Sequence, residues 1–264
     1  MSIVPLGTTD GEYAGASIGS QEPGWRPLPF AVSPDMPPAH PLDRPAWAAL
    51  NSRQAHLARG GQRALKFASE YAPFAGAKDV TPSSAAALVA LASPGETLWL
   101  VEAEPTAPPP GTVIATRAPC EQMVATALWP VRGPTKVDIV DLTGADAAEM
   151  LALATLTRPG PFSARTHELG DFIGVKRDGR LVAMAGERMK LDGFTEVSGV
   201  CTHPDHRGAG YGGVLTHEVA ARILARGETP FLHVYASNTG AVQLYESLGF
   251  TIRRTVTLTI LALA

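Results

Sequence analysis

The stretch Val200-Cys201-Thr202-His203-Pro204-Asp205-His206-Arg207-Gly208-Ala209-Gly210-Tyr211-Gly212-Gly213 has the residue types and spacing most ready for chemistry. A strand-like segment passes through a short polar loop into glycines that open an apolar-periodic helix. Glycine lets the main chain come close to a ligand, because it has no Cβ in the way. The first amides of such a helix lack intrahelical partners and sit at the positive end of its dipole. Together these features make a phosphate site, and Arg207 adds charge beside it. The chemistry implied is the handling of a phosphorylated ligand.

The elements that must hold this stretch follow from periodicity and turn chemistry. Residues 136–142 are predicted as a strand, and Thr143 with Asp146 suits a capping box opening a helix through Ala154. Residues 171–175 and 180–185 are predicted strands around Asp178-Gly179, a strong hairpin signal, and Asp192-Gly193 leads into a strand over Phe194–Thr202. After the glycine turn, Leu215, Val219 and Ile223 recur at every fourth position. Residues 231–236 read as a strand. Residues 239–248 read as a helix with Ala241, Leu244, Tyr245 and Leu248 on one face, and Gly249 stops it where a left-handed residue is wanted. Thr251–Leu263 then returns as one long strand or a hairpin. The order β-α-β-β-β-α-β-α-β predicts an α/β fold, of the α+β mixed-sheet kind, with helices on both sides.

Upstream the pattern is looser. Residues 1–40 are rich in Gly, Pro and Ser, with Pro23, Pro27, Pro29, Pro34, Pro37 and Pro38 interrupting any regular element, and read as a flexible or loosely docked extension. Trp47, Leu50, Gln54 and Leu57 suit a helix over residues 45–57, with Pro45 in its first turn. Residues 83–91 suit a second helix, capped by Ser83 or Ser84. Thr97–Glu102 and 112–116 read as strands separated by the proline run 108–110, and 123–128 as a third. The expected division is an extension over 1–40, an accessory α/β module over 41–133 ending near a proline-bounded linker at 130–134, and a second domain over 137–264.

Composition narrows the function classes. At 264 residues, 45% hydrophobic and 18% charged, the chain has material for a buried core, and its net charge of -3 carries no basic footprint for nucleic acid. Cys120 and Cys201 stand far apart without metal-like spacing, so neither a disulfide framework nor a metal is expected. No uncharged apolar run approaches the roughly 20 residues that cross a bilayer. The first residues lack a basic region followed by an apolar stretch, so the expectation is no export signal, no membrane and a reduced cytoplasmic setting.

The element order and two motifs within it resemble the GNAT superfamily of N-acetyltransferases. Its acyl-CoA loop, Arg/Gln-x-x-Gly-x-Gly/Ala, is matched by Arg207-Gly208-Ala209-Gly210-Tyr211-Gly212. Its late helix and following strand are matched by Asn238-x-x-Ala241-x-x-x-Tyr245-x-x-x-Gly249-Phe250. The resemblance covers roughly residues 137–264, about half the chain. The first module carries neither motif, and reads as an accessory domain or a degenerate second copy of the fold. Gly208-x-Gly210-x-x-Gly213 also satisfies a dinucleotide fingerprint. That fingerprint expects its first glycine directly after a strand in a parallel β-α-β unit, whereas residues 203–207 intervene here and the preceding strands are hairpin-linked.

The resemblance implies a coenzyme A-dependent N-acyltransferase that takes acetyl-CoA as co-substrate, without a metal. An amine of a small molecule or peptide would attack the thioester directly in a ternary complex. Arg207, Gly208, Ala209, Gly210, Tyr211 and Gly212 would present amides to the pyrophosphate. Val200, Cys201 and Thr202 would pair with the pantetheine arm where their strand splays from its neighbour, a backbone N–H near Val200 stabilising charge on the thioester oxygen. Tyr245 would be the general acid for the departing thiolate, since a phenol of ordinary pKa about 10 is protonated at neutral pH. Glu196 would be the general base toward the incoming ammonium, directly or through water. His203 and His206 are alternatives that read more simply as turn residues, and His233 is another, on the strand facing the cleft. Cys201 reads as a packed residue rather than a nucleophile, because no base stands beside it in sequence. Asn238 suits a helix cap, with contact to the coenzyme as a second role. Glu187 is a further candidate for the acceptor pocket, and Arg158, Arg165 and Arg188 are candidates to meet an anionic acceptor. The alternative function is a non-catalytic acyl-CoA sensor or scaffold with the first module as its interaction surface, and a homodimer is compatible with either.

Overall fold

Two Asp-Gly dipeptides organise the centre of the sheet. The computed structural model describes residues 40–104, 107–131 and 137–264, so the expected extension, save His40, and residues 132–136 around the expected linker lie outside the described residues. Along the chain come α1 (Pro45–Leu50), β1 (Ala58–Gly61), β2 (Ala64–Phe67), β3 (Ala75–Ala77), α2 (Pro82–Val89), β4 (Thr97–Glu102) and β5 (Thr112–Val124). Then follow β6 (Val140–Leu142), α3 (Ala147–Thr157), β7 (Phe172–Arg177), β8 (Arg180–Leu191) and β9 (Phe194–Thr202). The last elements are α4 (Tyr211–Ala225), β10 (Thr229–Tyr235), α5 (Thr239–Ser247) and β11 (Thr251–Leu263). From β6 onward the order is the one predicted. Asp178 and Gly179, at φ 50 and 75, turn β7 into β8, as a hairpin with two positive-φ residues requires.

Strands β1 to β3 form a small sheet of their own, and the other eight form one sheet in the order β4-β11-β5-β10-β9-β8-β7-β6. Every neighbouring pair in it is antiparallel except β9 with β10. Apolar residues from both faces bury the sheet. Leu215, Val219 and Ile223 of α4 pack on Val175, Val182, Val197 and Leu232. On the opposite face α1 packs with Phe231 and Leu258, and α3 with Met184 and Cys201. Each such side chain contributes about 1.5–3 kcal/mol by leaving water.

The first half of the chain departs most from expectation. The two strands expected over 112–116 and 123–128 are one strand of 13 residues, running through Pro119. Proline lacks an N–H but keeps its carbonyl, which here accepts from the Ala236 amide. Strand β11 is a single strand, not a hairpin. The partner that a hairpin would have supplied is β5, so the sheet runs across the expected boundary near residue 133. The helix expected over 45–57 ends at Leu50 and resumes only as a 3-10 turn at Ala55–Leu57, because Gln54 turns inward to donate to the carbonyls of Leu169 and Arg188. Thr81, not Ser83 or Ser84, caps α2. Of the strand expected over 136–142, residue 136 lies outside the described residues and 137–139 are not strand, leaving Val140–Leu142, whereas the Thr143–Asp146 capping box forms as predicted.

Candidate active site

Strands β9 and β10 leave their ladder part-way. Parallel pairing joins Thr229↔Phe194, Pro230↔Thr195 and Phe231↔Glu196 and ends there, so the strands part toward their C-terminal ends like a fork. A bulge on the other edge of β9 accompanies the split. Ser198 pairs with Gly186 and Cys201 with Met184, so β9 carries one extra residue between them. Gly199 sits there at φ 65, and a Cβ on it would come within 2.9 Å of Phe172 Cε1. Only glycine meets both demands. The bulge also resets the faces: Val197 and Val200, three residues apart, both join the core under α4, while Cys201 turns toward α3.

The loop after β9 is shaped for close approach. His203 caps the 3-10 turn Pro204–His206, its Nδ1 accepting from the Asp205 amide at 3.3 Å. Gly208 and Gly210 follow at φ 81 and 76, and Gly210 is the N-cap of α4 without any side-chain cap. Among the described residues no side chain caps it, so the positive end of this 15-residue helix faces the cleft. Two adjoining hollows open here. One, of about 250 Å³, is bounded by β9 residues 200–202, by Asn238 and Ala241 at the start of α5, and by Thr157 and Pro159. The other, of about 320 Å³, lies over Arg207, Gly208, Gly210 and the first turn of α4, with Val131 and Leu248 also on its walls. Thr202, Arg207, Gly212 and Leu244 bound both, making one cleft from fork to helix start.

Most residues expected to hold a carrier meet in that cleft. Val200, Cys201, Thr202, Arg207, Gly208, Gly210, Tyr211, Gly212 and Asn238 line it, while Ala209 stands on the exposed loop outside the lining. Asn238 caps α5, its Oδ1 accepting from the Ala241 amide at 3.3 Å. Tyr245 lies one layer in. It is 1% exposed, stands edge-on to Phe250 and shares an apolar cluster with the cleft residues Val200 and Ala241. Burial pushes the Cys201 thiol up to about 11, so a thiolate nucleophile is not what this site offers. His206 borders the cleft beside the glycine loop. Sequence reading missed Thr157, Pro159 and Val131, which carry no motif. Of the four apolar residues expected on one face of α5, Leu244 is exposed along the cleft.

Glu196 requires a correction. The carboxylate is 0% exposed, its Oε2 accepts from Arg188 Nε at 2.9 Å, and its Oε1 faces Arg188 Nη2 and His233 Nδ1, each at 2.8 Å. Burial alone would raise its pKa, but the Arg188 charge and the bonds from His233 and Arg188 outweigh that and hold it down at about 2. A carboxylate with both oxygens engaged and its acid form this disfavoured is a poor acceptor for a substrate proton, so the general-base role is withdrawn. Arg188, a candidate for an anionic acceptor, is consumed in the same pair and stacks on the Phe74 ring. Glu187 is buried between Lys190 and Arg226. Arg165 pairs with Glu168 over the Tyr71 ring, and Arg158 ends α3 in the left-handed conformation.

The model of the family described as FR47-like protein matches residues 172–258. The chain is 46% identical to a protein described as an acetyltransferase from the GNAT family of Novosphingobium aromaticivorans DSM 12444, whose crystal structure superposes with a TM-score of 0.78 over 86% of this chain and 100% of that one. The ribosomal protein bS18-alanine N-acetyltransferase of Escherichia coli (strain K12) is 32% identical over 124 residues, covering 46% of this chain and 83% of that protein. The mycothiol acetyltransferase of Thermobispora bispora is 47% identical over 57 residues, 21% of this chain. Those residues make up only 19% of that relative's length.

Proposed function

Because the chain belongs to the GNAT superfamily of N-acetyltransferases, we propose that it transfers an acetyl group from acetyl-CoA to a primary amine by direct attack in a ternary complex. The observation that carries this reading is the single cleft that joins a forked pair of strands to the uncapped, glycine-opened start of α4. A carrier with a diphosphate at one end and a thioester at the other fits such a cleft chemically. The diphosphate meets the first-turn amides of α4 and Arg207. The pantetheine arm runs along Val200, Cys201 and Thr202, and the thioester lies at the fork, where main chain near Val200 donates to the carbonyl oxygen as charge develops.

The amine sheds one proton to water and attacks the thioester carbon as the neutral base. The tetrahedral adduct then collapses with cleavage of the C–S bond, and Tyr245 gives its proton to the departing sulfur. The second amine proton passes through water back to the tyrosinate, which balances the cycle without a protein carboxylate. Residues 137–264 supply the cleft in this reading apart from Val131 on its wall, and the upstream residues also complete its sheet. The test is to incubate the full chain with acetyl-CoA and a panel of amines, including a peptide with an N-terminal alanine in view of the bS18-alanine relative, and to follow free thiol. Amine-dependent, saturable release is expected. No release above background with every amine would overturn catalysis.

A further inference from the structure

A row of polar side chains, buried on four strands and half-buried on the fifth, crosses five neighbouring strands below the fork. Arg188 of β8 and Glu196 of β9 form the pair described above, and His233 of β10 joins it through Nδ1. His233 Nε2 lies 3.0 Å from Gln122 Nε2 of β5. Gln122 donates to the Leu42 carbonyl at 2.7 Å and accepts from Arg253 Nη1 of β11 at 2.7 Å, and Arg253 continues to Asp43 at 2.5 Å. Arg253 is the extra residue of a bulge, since pairing steps from Ile252 directly to Arg254 against Met123 and Gln122. Gln122, Glu196, His233 and Arg188 are all buried.

The order of donors fixes the imidazole. Leu42 and Arg253 hold the Gln122 amide with its nitrogen toward His233, so His233 Nε2 must accept and Nδ1–H must donate to Glu196. Glu196 belongs to the last pair of the parallel ladder, and His233 stands two residues beyond its partner Phe231. The imidazole therefore reaches back across the vertex of the fork. His233 itself lies outside the cleft lining.

We propose that His233 is a positioning residue whose bond to Glu196 fixes where β9 and β10 part, and so sets the width of the cleft for the acyl carrier. The inference rests on the proposed function, since it assigns the fork to the pantetheine arm. Arg188 keeps Glu196 seated when His233 is removed, so β9 stays in place and only β10 is released. The loss then falls on carrier binding and not on the acid chemistry of Tyr245.

The experiment titrates coenzyme A calorimetrically into the full chain and into His233→Ala, His233→Asn and His233→Gln, and measures KM and kcat for acetyl-CoA. An asparagine amide nitrogen can stand where Nδ1 stands, whereas a glutamine nitrogen stands nearer Nε2. His233→Ala and His233→Gln are expected to raise the coenzyme Kd and the KM about tenfold with kcat within about threefold. His233→Asn is expected to remain within about threefold of the original in all three. If His233→Ala does not fold, the Asn and Gln pair carries the same contrast. Coenzyme binding by the original protein that the Ala or Gln variant leaves unchanged, or an Asn variant no better than Gln, overturns the positioning role alone. Failure of the original protein to bind coenzyme A overturns the proposed function and this inference with it.

Discussion

Strand β9 has two halves of opposite character. Its first half pairs with both β8 and β10, β8 being bulged at Arg188 and Met189 opposite Glu196, and Glu196 there is a buried charge with every oxygen satisfied. Its second half is bulged at Gly199, parts from β10 and lines a cleft in which, among the described residues, Arg207 is the one cationic side chain bounding both hollows. The same strand is thus paired where it carries charge and open where, in the proposed function, main chain meets the carrier. A carboxylate next to a thioester would oppose the negative charge that develops on its oxygen. Placing Glu196 below the vertex, locked to Arg188, keeps it out of that field while its interactions brace the opening. The contrast can be broken from either half.

The largest effect is expected in the closed half. Glu196→Ala leaves the Arg188 charge buried without its carboxylate and should cost about 3–5 kcal/mol of stability in urea unfolding. Acid should act in the same direction. The Glu196 carboxylate is held near pKa 2 against an ordinary 4.5, so its stabilisation is whole above about pH 4.5 and drains as pH falls toward 2. The gap in unfolding midpoint between the original protein and Glu196→Gln should therefore narrow between pH 7 and pH 3. A gap that is constant across that range would mean the carboxylate is not the stabilising partner described. Next in size, Tyr245→Phe tests the open half: kcat should fall about 10²-fold with coenzyme affinity unchanged. Unaltered turnover would remove Tyr245 from the mechanism.

The two halves were unequally legible in the sequence. Glycine turns, Asp-Gly hairpins and the capping box are local devices, so β6 through α5 could be read in order, and nine of the ten expected carrier residues meet in one cleft. The closed half depends on contacts between distant residues. Nothing local marks Gln122 or Arg253 as partners of His233, and the exposed first half of β5 has no apolar alternation to announce a long strand. Glu196 shows the cost of reading position without burial: the strand was placed correctly, but a solvent-facing base and a buried ion-pair partner have the same letter. Leu244 shows the reverse, since an apolar residue on a helix face lines a cleft as readily as a core.

A smaller effect is expected at the far end of the cleft. Gly210 at φ 76 has a conformation that costs an L-residue about 1–2 kcal/mol, and a side chain there obstructs approach to the α4 amides. Gly210→Val should raise the coenzyme Kd about tenfold while leaving the affinity ratio to the original protein insensitive to salt, because the loss is steric. Unchanged calorimetric affinity would refute the assignment of these amides to the diphosphate.

Arg207 separates charge from shape at that same end. Its side chain is exposed, so its attraction for a diphosphate acts through water and is worth about 0.2–1 kcal/mol, a loss of up to roughly fivefold in affinity for Arg207→Ala. Screening shortens to about 3 Å at 1 M salt, so the difference between Arg207→Ala and the original protein should shrink toward nothing as salt rises from 0.05 M to about 1 M. Gly210→Val should keep its full deficit over the same range. If the Arg207→Ala deficit persists at high salt, the guanidinium works as a wall of the cleft through its contact surface, and the diphosphate is held by helix amides alone.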